Sequence, residues 1–254
     1  MDTYERRKRI AELVNEKGRV TVKELGEMFE ISEVTVRMDL TELEAQGLLT
    51  RVHGGAVSSY RAYYNMSLQQ RMSSGIDNKK EIAKYAASMI KDGDTIMLNS
   101  GTTTLLVLRA IPQNINLSIV TNSLDIALEA GANPNFRVVL LGGAINAKYH
   151  FSYGADANAQ LARYNADKLF LSVDGIDYEN GFTTYYDLET DVDALMLKNS
   201  VAKIIVADSS KIARRAFAGI AALEEADYII TNKDVYAEND IEKLKKKVGN
   251  IITV

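Results

Sequence analysis

The chain contains no cysteine and only two histidines, and these shortages limit the chemistry that it can carry out. Without cysteine there is neither a disulfide framework nor a thiol nucleophile. The two histidines, His53 and His150, are not spaced as metal ligands, so we expect no metal site and no cofactor. No apolar run approaches the roughly 18–20 residues that span a membrane, and we expect no signal peptide. Low-complexity tracts and internal repeats are also absent, and the expected location is the cytoplasm.

Length and composition predict two domains. The chain has 254 residues, of which 46% are hydrophobic and 25% are charged, enough to bury a sizeable core. We place the first domain at residues 1–57, a linker of shifted composition at 58–78 and the second domain at 79–254. The net charge of −4 excludes a bulk polycation.

Residues 20–39 have the pattern of a helix-turn-helix. A first helix is predicted over 21–29, and its buried stripe would be formed by Val22, Leu25, Met28 and Phe29. After a turn at 30–32, Ser32 is placed to cap a second helix over 33–46. The core face of this second helix would be formed by Val36, Leu40 and Leu43. An ordinary helical hairpin has the same pattern, and the flanking segments distinguish the two.

The flanking segments favour a winged helix that reads DNA. Residues 4–17 predict a third helix with Ile10, Leu13 and Val14 on its apolar side, and residues 47–57 predict two short strands around a Gly-Gly turn. In such a unit the N-terminal end of the second helix of the motif reads the major groove, while the wing reaches phosphates or a minor groove. The expected DNA contacts are Arg6, Lys23, Glu33, Thr35, Arg37, Met38, Arg51 and His53.

The predicted DNA-reading unit is not basic. Residues 1–60 contain nine Lys and Arg against eleven Asp and Glu, which gives a net charge of −2. Affinity for phosphate must then come from basic side chains gathered on one face rather than from the overall charge. This argues for a dimer or a larger homo-oligomer instead of a monomer.

From residue 79 the pattern changes to helices that alternate with short apolar runs. Short runs that are rich in Val and Ile and bounded by Gly, Asn or Asp fit buried parallel strands. The predicted strands are 95–98, 117–121, 137–141, 168–173, 203–207, 228–231 and 251–254. The sequence therefore predicts an N-terminal winged helix-turn-helix joined to a C-terminal α/β domain with a Rossmann-like layered sheet.

Polar residues follow most of the predicted strands. Open α/β sheets bind ligands at the carboxyl ends of their strands, so these loops should converge on one crevice. Asn and Ser are also ordinary turn and cap residues, but five such loops at carboxyl ends favour a site. The candidate effector-binding residues are Lys79, Asn99, Ser100, Gly101, Thr102, Thr103, Asn122, Asp174, Asp177 and Lys211.

The loop 100–104 has the features of a phosphate site. It opens a predicted helix, where backbone N–H groups lack partners, Gly101 permits close approach and hydroxyl groups add donors. The helix dipole contributes only about 0.3–1 kcal/mol unless it is buried, so a cationic side chain should assist. Lys79 is the candidate, although its spacing alone favours a solvated helix residue.

The first domain resembles the DeoR family of bacterial transcriptional regulators. The segments 32–40 (SEVTVRMDL) and 51–56 (RVHGGA) are similar to the helix-turn-helix and wing of that family, and the resemblance covers nearly the whole chain. Family members often carry a second basic residue after Arg37, where this chain has Met38. A methionine can touch a thymine methyl group but cannot fork onto guanine or grip a phosphate, so the operator sequence stays open.

The second domain resembles the DeoR-type effector domain, which is similar in fold to ribose-5-phosphate isomerase. The resemblance implies that Lys79 and the loop 100–103 hold a sugar phosphate, and that the segment 174–177 (DGID) faces the sugar. Near the place of the glycine-rich loop of the isomerase, the segment 180–184 (NGFTT) lacks the catalytic lysine, which implies a binding site without chemistry. Two positions depart from the relatives, where Asn99 replaces an aspartate and Asp193 a lysine. The segment 149–154 would either tune ligand choice beside the site or be a packed loop.

These observations predict a DNA-binding transcriptional regulator, a repressor of a carbohydrate-utilisation operon that a phosphorylated sugar releases or modulates. Its partners would be a double-stranded DNA operator, a phosphorylated sugar or related metabolite, and further copies of the chain. Two alternatives stay open: a DNA-binding protein whose α/β domain only oligomerises, and a sugar-phosphate isomerase. Indifference of DNA affinity and melting temperature to metabolites would indicate the first, and turnover of pentose or hexose phosphates the second.

Overall fold

A computed structural model of the protein describes residues 1–45, 48–58, 66–235 and 237–254, without the side chains of residues 15 and 16. The chain divides into two units, Met1–Gly75 and Ile76–Val254. Gln46 and Gly47, at the end of the predicted second helix, and residues 59–65 of the predicted linker lie outside the described residues. Within the described ranges no helix is long and apolar enough to cross a membrane. The same ranges contain no group of three His, Asp or Glu residues that could hold a metal ion.

The N-terminal unit contains three helices and a three-stranded antiparallel sheet. Its elements are α1 (Thr3–Lys17), β1 (Arg19–Thr21), α2 (Val22–Phe29), α3 (Glu33–Ala45), β2 (Leu49–Val52) and β3 (Gly55–Ser58). The predicted winged helix-turn-helix is confirmed, and one strand was missed because three residues are too few to show an alternating pattern. This strand, β1, pairs with β3, which lies between β1 and β2.

The core of this unit follows the predicted apolar spacing except at Met28, while the predicted Phe29 is half-buried and packs against the core. The predicted core residues that are buried are Ile10, Leu13, Val14, Val22, Leu25, Val36, Leu40 and Leu43. The prediction for Met28 was wrong, because its side chain is 50% exposed. At about 100° per residue, Met28 lies at the margin of the arc that Val22 and Leu25 define, and α2 ends one residue later.

The predicted linker is partly helical. Helix α4 (Leu68–Ser73) lies inside it and begins with a capping box between Ser67 and Gln70. Helix α5 (Ile76–Ser88) begins three residues before the predicted start of the second domain at residue 79. The sequence pattern did not indicate α4 because its six residues contain too few apolar side chains to establish a helical period.

The C-terminal unit is built on one parallel sheet with additional short strands. Its remaining helices are α6 (Thr102–Ala110), α7 (Leu124–Ala130), α8 (Ala155–Leu161), α9 (Asp187–Lys198) and α10 (Glu238–Leu244). Its strands are β4 (Thr95–Leu98), β5 (Leu117–Thr121), β6 (Phe136–Leu140), β7 (Ala144–Asn146), β8 (Phe151–Tyr153), β9 (Ala166–Leu171), β10 (Gly175–Asp177), β11 (Gly181–Thr184), β12 (Ser200–Val206), β13 (Ala218–Ala221), β14 (Tyr228–Thr231) and β15 (Asn250–Thr253). All seven predicted strands are present and form the seven-stranded sheet, so the predicted fold class is confirmed. The short strands of two smaller sheets were not predicted.

The strand order places a crevice between β4 and β9. The strand order is β15-β14-β12-β9-β4-β5-β6. The strands β5 and β6, which follow β4 in the chain, lie on one side of it, and β12, β14 and β15, which follow β9, lie on the other side. Met97 of β4 lies opposite Leu169 of β9 and Val120 of β5, and all three side chains are buried. Loops that leave two neighbouring strands in opposite directions open a crevice at their carboxyl ends, where ligands bind in such sheets.

Candidate DNA-reading surface and effector site

The turn between α2 and α3 is closed by backbone and cap contacts. Glu30 has a left-handed φ of 52°, which ends α2, and the N–H of Ile31 donates to the carbonyl oxygen of Gly26 (3.1 Å). Ser32 caps α3 as predicted, because its Oγ accepts the N–H of Thr35 (3.1 Å). These contacts fix the angle at which α3 leaves the turn.

A buried carboxylate ties α3 to α1. Asp39 is 1% exposed, and its two oxygens accept hydrogen bonds from Nε of Arg6 (2.7 Å) and Nε of Arg7 (2.8 Å). Both arginine side chains are themselves largely buried. We predicted Arg6 as a DNA contact, which stays a prediction, and the structure shows that Arg6 also holds α3 through Asp39.

Most of the other predicted DNA contacts are exposed. The exposed ones are Lys23, Glu33, Arg37, Met38, Arg51 and His53, whereas Thr35 is half-buried in the cap of α3. Arg37 donates to Glu33 one turn earlier (2.6 Å), and Lys23 lies 3.9 Å from Glu27. Such pairs in water contribute little free energy, so DNA phosphates can compete for both cations.

The wing is fastened to the C-terminal half of α3. The N–H of Arg51 donates to Oε1 of Glu44 (2.7 Å), its Nε lies 3.4 Å from Oε2 of Glu44, and its guanidinium also donates to the hydroxyl of Thr41. His53 lies in the turn between β2 and β3, beside Gly54 with a φ of 77°. Arg51 therefore lies against α3, and His53 lies at the tip of the wing.

In the C-terminal unit, Asn99 joins the two strands that border the crevice. It directly follows β4, and its Oδ1 accepts the N–H of Ser172, the residue after β9 (2.9 Å). Its Nδ2 donates to the carbonyl oxygen of Ser172 (3.0 Å) and to Oδ1 of Asp193 (3.1 Å). An aspartate at this position could not donate either bond. The buried amide of Asn99 thus holds the floor of the crevice together.

Ser100 connects three loops at the same edge of the sheet. Its N–H donates to Oδ1 of Asn122, which follows β5 (2.9 Å), and its hydroxyl donates to a carboxylate oxygen of Glu189 in the first turn of α9. Asn122 continues the network by donating to the carbonyl oxygen of Ser152 (3.3 Å). The predicted convergence of Ser100 and Asn122 is present.

Gly101 allows the start of α6 to lie against the end of β9. A Cβ atom at this position would be 2.7 Å from the Cβ atom of Ser172, closer than atoms can approach. The backbone of Gly101 is extended, so the need for glycine comes from this close approach alone. Thr102 and Thr103 are buried in the first turn of α6, which begins without a side-chain cap.

Lys79 and Lys211 belong to one buried cluster of charges. They are 1% and 3% exposed, so the alternative of a solvated Lys79 is wrong. Burial lowers the pKa of Lys211 to about 7, and the positive charges of Arg214 and Lys79 lower it further, whereas the negative charges of Asp208 and Asp174 oppose the shift. Burial alone would raise the pKa of Asp208, but the charges of Lys211 and Lys79 outweigh it and lower that pKa. The charges of Lys79 and Arg214 are matched by those of Asp174 and Asp208, while Lys211 is only partly protonated near pH 7, so an anionic ligand would favour its protonated form.

The two positions that depart from the family pattern contact each other. Asn99 donates to Asp193, which is fully buried on α9. Burial raises the pKa of Asp193 to about 8, with a further contribution from the charge of Asp174, although the bond from Asn99 opposes the shift. Burial therefore favours the protonated form of Asp193 at neutral pH, and an amide–carboxyl pair lies where the resemblance implied an aspartate and a lysine.

The structure separates the two predicted aspartates of the segment 174–177. Asp174 accepts hydrogen bonds from the N–H of Tyr185 (3.0 Å) and the hydroxyl of Thr184 (3.3 Å), and its charge acts on the buried cluster. Asp177 instead caps the hairpin between β10 and β11, where its Oδ1 accepts the N–H (2.8 Å) and the side-chain amide (2.6 Å) of Asn180. No described hydrogen bond joins Asp177 to the other candidate residues.

The segment 149–154 is packed and also borders the site. Tyr149 and Phe151 are buried, and the ring of Tyr149 lies 4.4 Å from that of Tyr186 between centroids. Ser152 accepts the bond from Asn122 and returns one from its own N–H to the carbonyl oxygen of Asn122 (2.8 Å). The segment therefore supports a candidate residue from behind.

Four residues of the site were not predicted, namely Ser172, Glu189, Asp208 and Arg214. Asp208 directly precedes Ser209, Ser210 and Lys211, and its place after a predicted strand was a usable signal. The other three reach the site through the fold from segments without a local motif.

Two family models match the chain. The DeoR-like helix-turn-helix domain matches residues 6–61, and the DeoR C terminal sensor domain matches residues 74–233. The lactose phosphotransferase system repressor of Staphylococcus epidermidis is 35% identical and covers 100% of this chain and 99% of its own. The uncharacterized HTH-type transcriptional regulator YulB of Bacillus subtilis is 34% identical, over 96% of this chain and 95% of its own. Ribose 5-phosphate isomerase A of Methanocaldococcus jannaschii is similar in structure with a TM-score of 0.40 and 20% identity, over 54% of this chain and 55% of that one.

The family matches account for both units. The winged helix-turn-helix is the DNA-binding part, and the α/β unit is the sensor part. The relatives are named as transcriptional regulators and repressors, so this chain acts as a regulator and not as an enzyme. The chain belongs to the DeoR family of DNA-binding transcriptional regulators.

Proposed function

We propose that this regulator represses a carbohydrate-utilisation operon and that a phosphorylated sugar, bound in the α/β unit, modulates its affinity for DNA. The relative that is named a lactose phosphotransferase system repressor supports both the repressor role and the sugar class. The proposed ligand class rests on one observation. The charges of Lys79, Arg214, Asp174 and Asp208 all act on the buried amino group of Lys211. A phosphate dianion would hold Lys211 in its protonated form and would thereby stabilise the cluster.

The residues around the cluster have distinct roles in this proposal. Lys79, Lys211 and Arg214 would hold the phosphate, and the backbone at the start of α6, over 101–103, would add N–H donors. Asn122 and Asp174 would bind hydroxyl groups of the sugar. Asn99, which bonds to Ser172 and Asp193, would keep the crevice in shape.

The same loops supply a route from ligand to DNA. A ligand beside Ser100 would reorganise the bonds of this residue to Asn122 and Glu189, which belong to different loops of the sheet edge. Such a change would alter the arrangement of subunits and the spacing of their recognition helices. Two half-sites one helical turn apart require recognition helices about 34 Å apart, so a modest rotation lowers affinity.

A homo-oligomer is part of the proposal, because a DNA-reading unit with a net charge of −2 needs more than one copy for tight binding. An apolar groove of about 700 Å³ between α7 and the edge strand β6 offers a surface for a second copy. Leu128 is 81% exposed and Leu140 is 45% exposed there. Because the operator is chromosomal DNA, we place the working protein in the cytoplasm.

Isothermal titration calorimetry of the full-length chain tests the ligand class. The titrants are pentose 5-phosphates, hexose 6-phosphates and the same sugars without phosphate. Lys79→Ala should weaken phosphorylated sugars by about a hundredfold or more, because it removes one partner of a buried charged contact. Lys80→Ala is the matched control, since it removes the same charge from a neighbour whose side chain is 61% exposed. Equal losses in both variants, or equal binding of sugars with and without phosphate, would contradict the proposal.

A further inference from the structure

The centre of the exposed side of α3 is apolar. The buried residues of this helix are Val36, Asp39, Leu40 and Leu43. At about 100° per residue, the positions directly opposite this buried arc are those of Val34, Met38, Thr41 and Ala45. All four are exposed, and none carries a charge. We call these four residues the apolar stripe.

Val34 and Met38 dominate the apolar stripe. Each is 65% exposed, and they lie one helical turn apart near the N-terminal end of α3, the end that reads base edges in this motif. Other exposed apolar side chains of this unit include Met28 and Val52, but Val34 and Met38 are neighbours on the recognition helix itself. Their position indicates that they meet an apolar partner in the groove.

Glu33, Arg37 and Glu44 lie on one side of the apolar stripe, and Glu42 lies on the other. Glu33 and Arg37 form an ion pair of 2.6 Å, and Arg51 of the wing approaches α3 at Thr41 and Glu44. The hydroxyl of Thr41 donates to the carbonyl oxygen of Arg37 (2.8 Å), which leaves its methyl group as the apolar part of that side chain. The cations are thus placed for phosphates at the groove edge, and the apolar stripe for the base pairs.

We propose that α3 recognises thymine methyl groups at the centre of each operator half-site, through Val34 and Met38. The C5 methyl of thymine is the apolar feature of the major-groove base edges. Contact with it removes the exposed surface of both side chains from water. The inference rests on DNA binding by the N-terminal unit and adds the class of bases that this unit selects.

A selected operator made with and without thymine methyl groups tests the proposal. Duplexes with a randomised centre are selected with the full-length chain, and the enriched duplex is synthesised twice, once with thymine and once with uracil in its place. Uracil keeps the hydrogen-bonding groups of thymine and lacks only the C5 methyl. Each methyl group that becomes buried corresponds to about a fourfold change in affinity. Loss of two methyl groups in one half-site should therefore weaken binding roughly fifteenfold.

Variants assign the effect to the stripe. The double variant Val34→Ala/Met38→Ala should bind the thymine and uracil duplexes with nearly equal affinity, because the groups that contact the methyl are gone. The matched controls are Met28→Ala and Val201→Ala, which shorten exposed side chains outside the stripe and should keep the full preference for thymine.

The possible outcomes distinguish recognition of thymine methyl groups from DNA binding itself. Equal affinity of the wild-type chain for both duplexes would overturn methyl recognition and leave DNA binding intact. An equal loss on uracil in the wild-type chain and the double variant would also overturn it, since DNA shape would then account for the preference. Failure to enrich any sequence would remove the DNA-binding assignment itself, and the inference with it.

Discussion

Replacing Asp193 by asparagine should stabilise the α/β unit at neutral pH. Asp193 is fully buried on α9 and accepts a hydrogen bond from Asn99 (3.1 Å). Burial and the charge of Asp174 raise the pKa of Asp193 to about 8. Asp193→Asn keeps the acceptor oxygen for Asn99 and can never carry the negative charge that the site disfavours.

The magnitude follows from the two pKa values of this carboxyl. In the unfolded chain an aspartate has a pKa of about 3.9, so it ionises freely there while it stays protonated in the folded unit. The stability that Asp193 contributes is fully present below about pH 4 and is lost as the pH rises towards about 8. The difference corresponds to at most about 4 kcal/mol at pH 7. We therefore expect Asp193→Asn to raise the unfolding free energy at pH 7 by an amount on the order of a few kcal/mol.

Scanning calorimetry of the full-length chain between about pH 4 and pH 8 measures this effect as the difference between variant and wild type. The gain should shrink steadily as the pH falls and vanish near pH 4, where the unfolded carboxyl is also protonated. Asp191→Asn is the control, because Asp191 lies on the same helix and is exposed. A gain that is independent of pH, or equal in the two variants, would refute the reasoning.

Three further predictions follow from the buried contacts. Asp39→Asn, which removes the negative charge between two largely buried arginines, should lower the stability of the N-terminal unit by about 2–4 kcal/mol. An unchanged calorimetric transition of that unit would contradict the clamp between α1 and α3. Gly101→Ala places a Cβ atom 2.7 Å from Ser172 and should abolish sugar-phosphate binding while DNA binding without ligand, followed by anisotropy, persists. Normal calorimetric titration by sugar phosphates would refute that close approach. Burial lowers the pKa of Lys211 to about 7, so affinity for a sugar phosphate should fall between about pH 7 and pH 8.5, where the phosphate is already a dianion. Constant affinity over that range, measured by calorimetry, would exclude Lys211 as a phosphate ligand.

The sequence predicts the sheet well because most of its inner strands are short apolar runs, rich in Val and Ile, that are buried on both faces. Runs such as 117–121 and 228–231 coincide with the strands Leu117–Thr121 and Tyr228–Thr231. The helix-turn-helix is equally predictable from the sequence, since apolar spacing and the cap at Ser32 are local signals. The small strands were missed because three or four residues do not establish a period.

The site residues show the limit of local signals. From spacing alone we expected Lys79 to be a solvated helix residue, although it lies three and four residues before the buried Ile82 and Ala83. Its charge acts on Asp208, which lies beyond the end of the distant strand β12, and no local pattern indicates that proximity. The same holds for Arg6, whose pairing with Asp39 joins residues 33 positions apart.

The most direct test of the central claim is the fluorescence anisotropy of the selected operator duplex, titrated with the full-length chain at fixed salt. The titration is repeated with a phosphorylated sugar and with the same sugar without phosphate, because phosphate-driven DNA affinity depends steeply on ionic strength. We predict that one phosphorylated sugar changes the dissociation constant for DNA by about fivefold or more, and that Lys79→Ala removes this change. Sequence-specific binding that stays the same at saturating concentrations of every phosphorylated sugar would contradict the proposal that the α/β unit senses them.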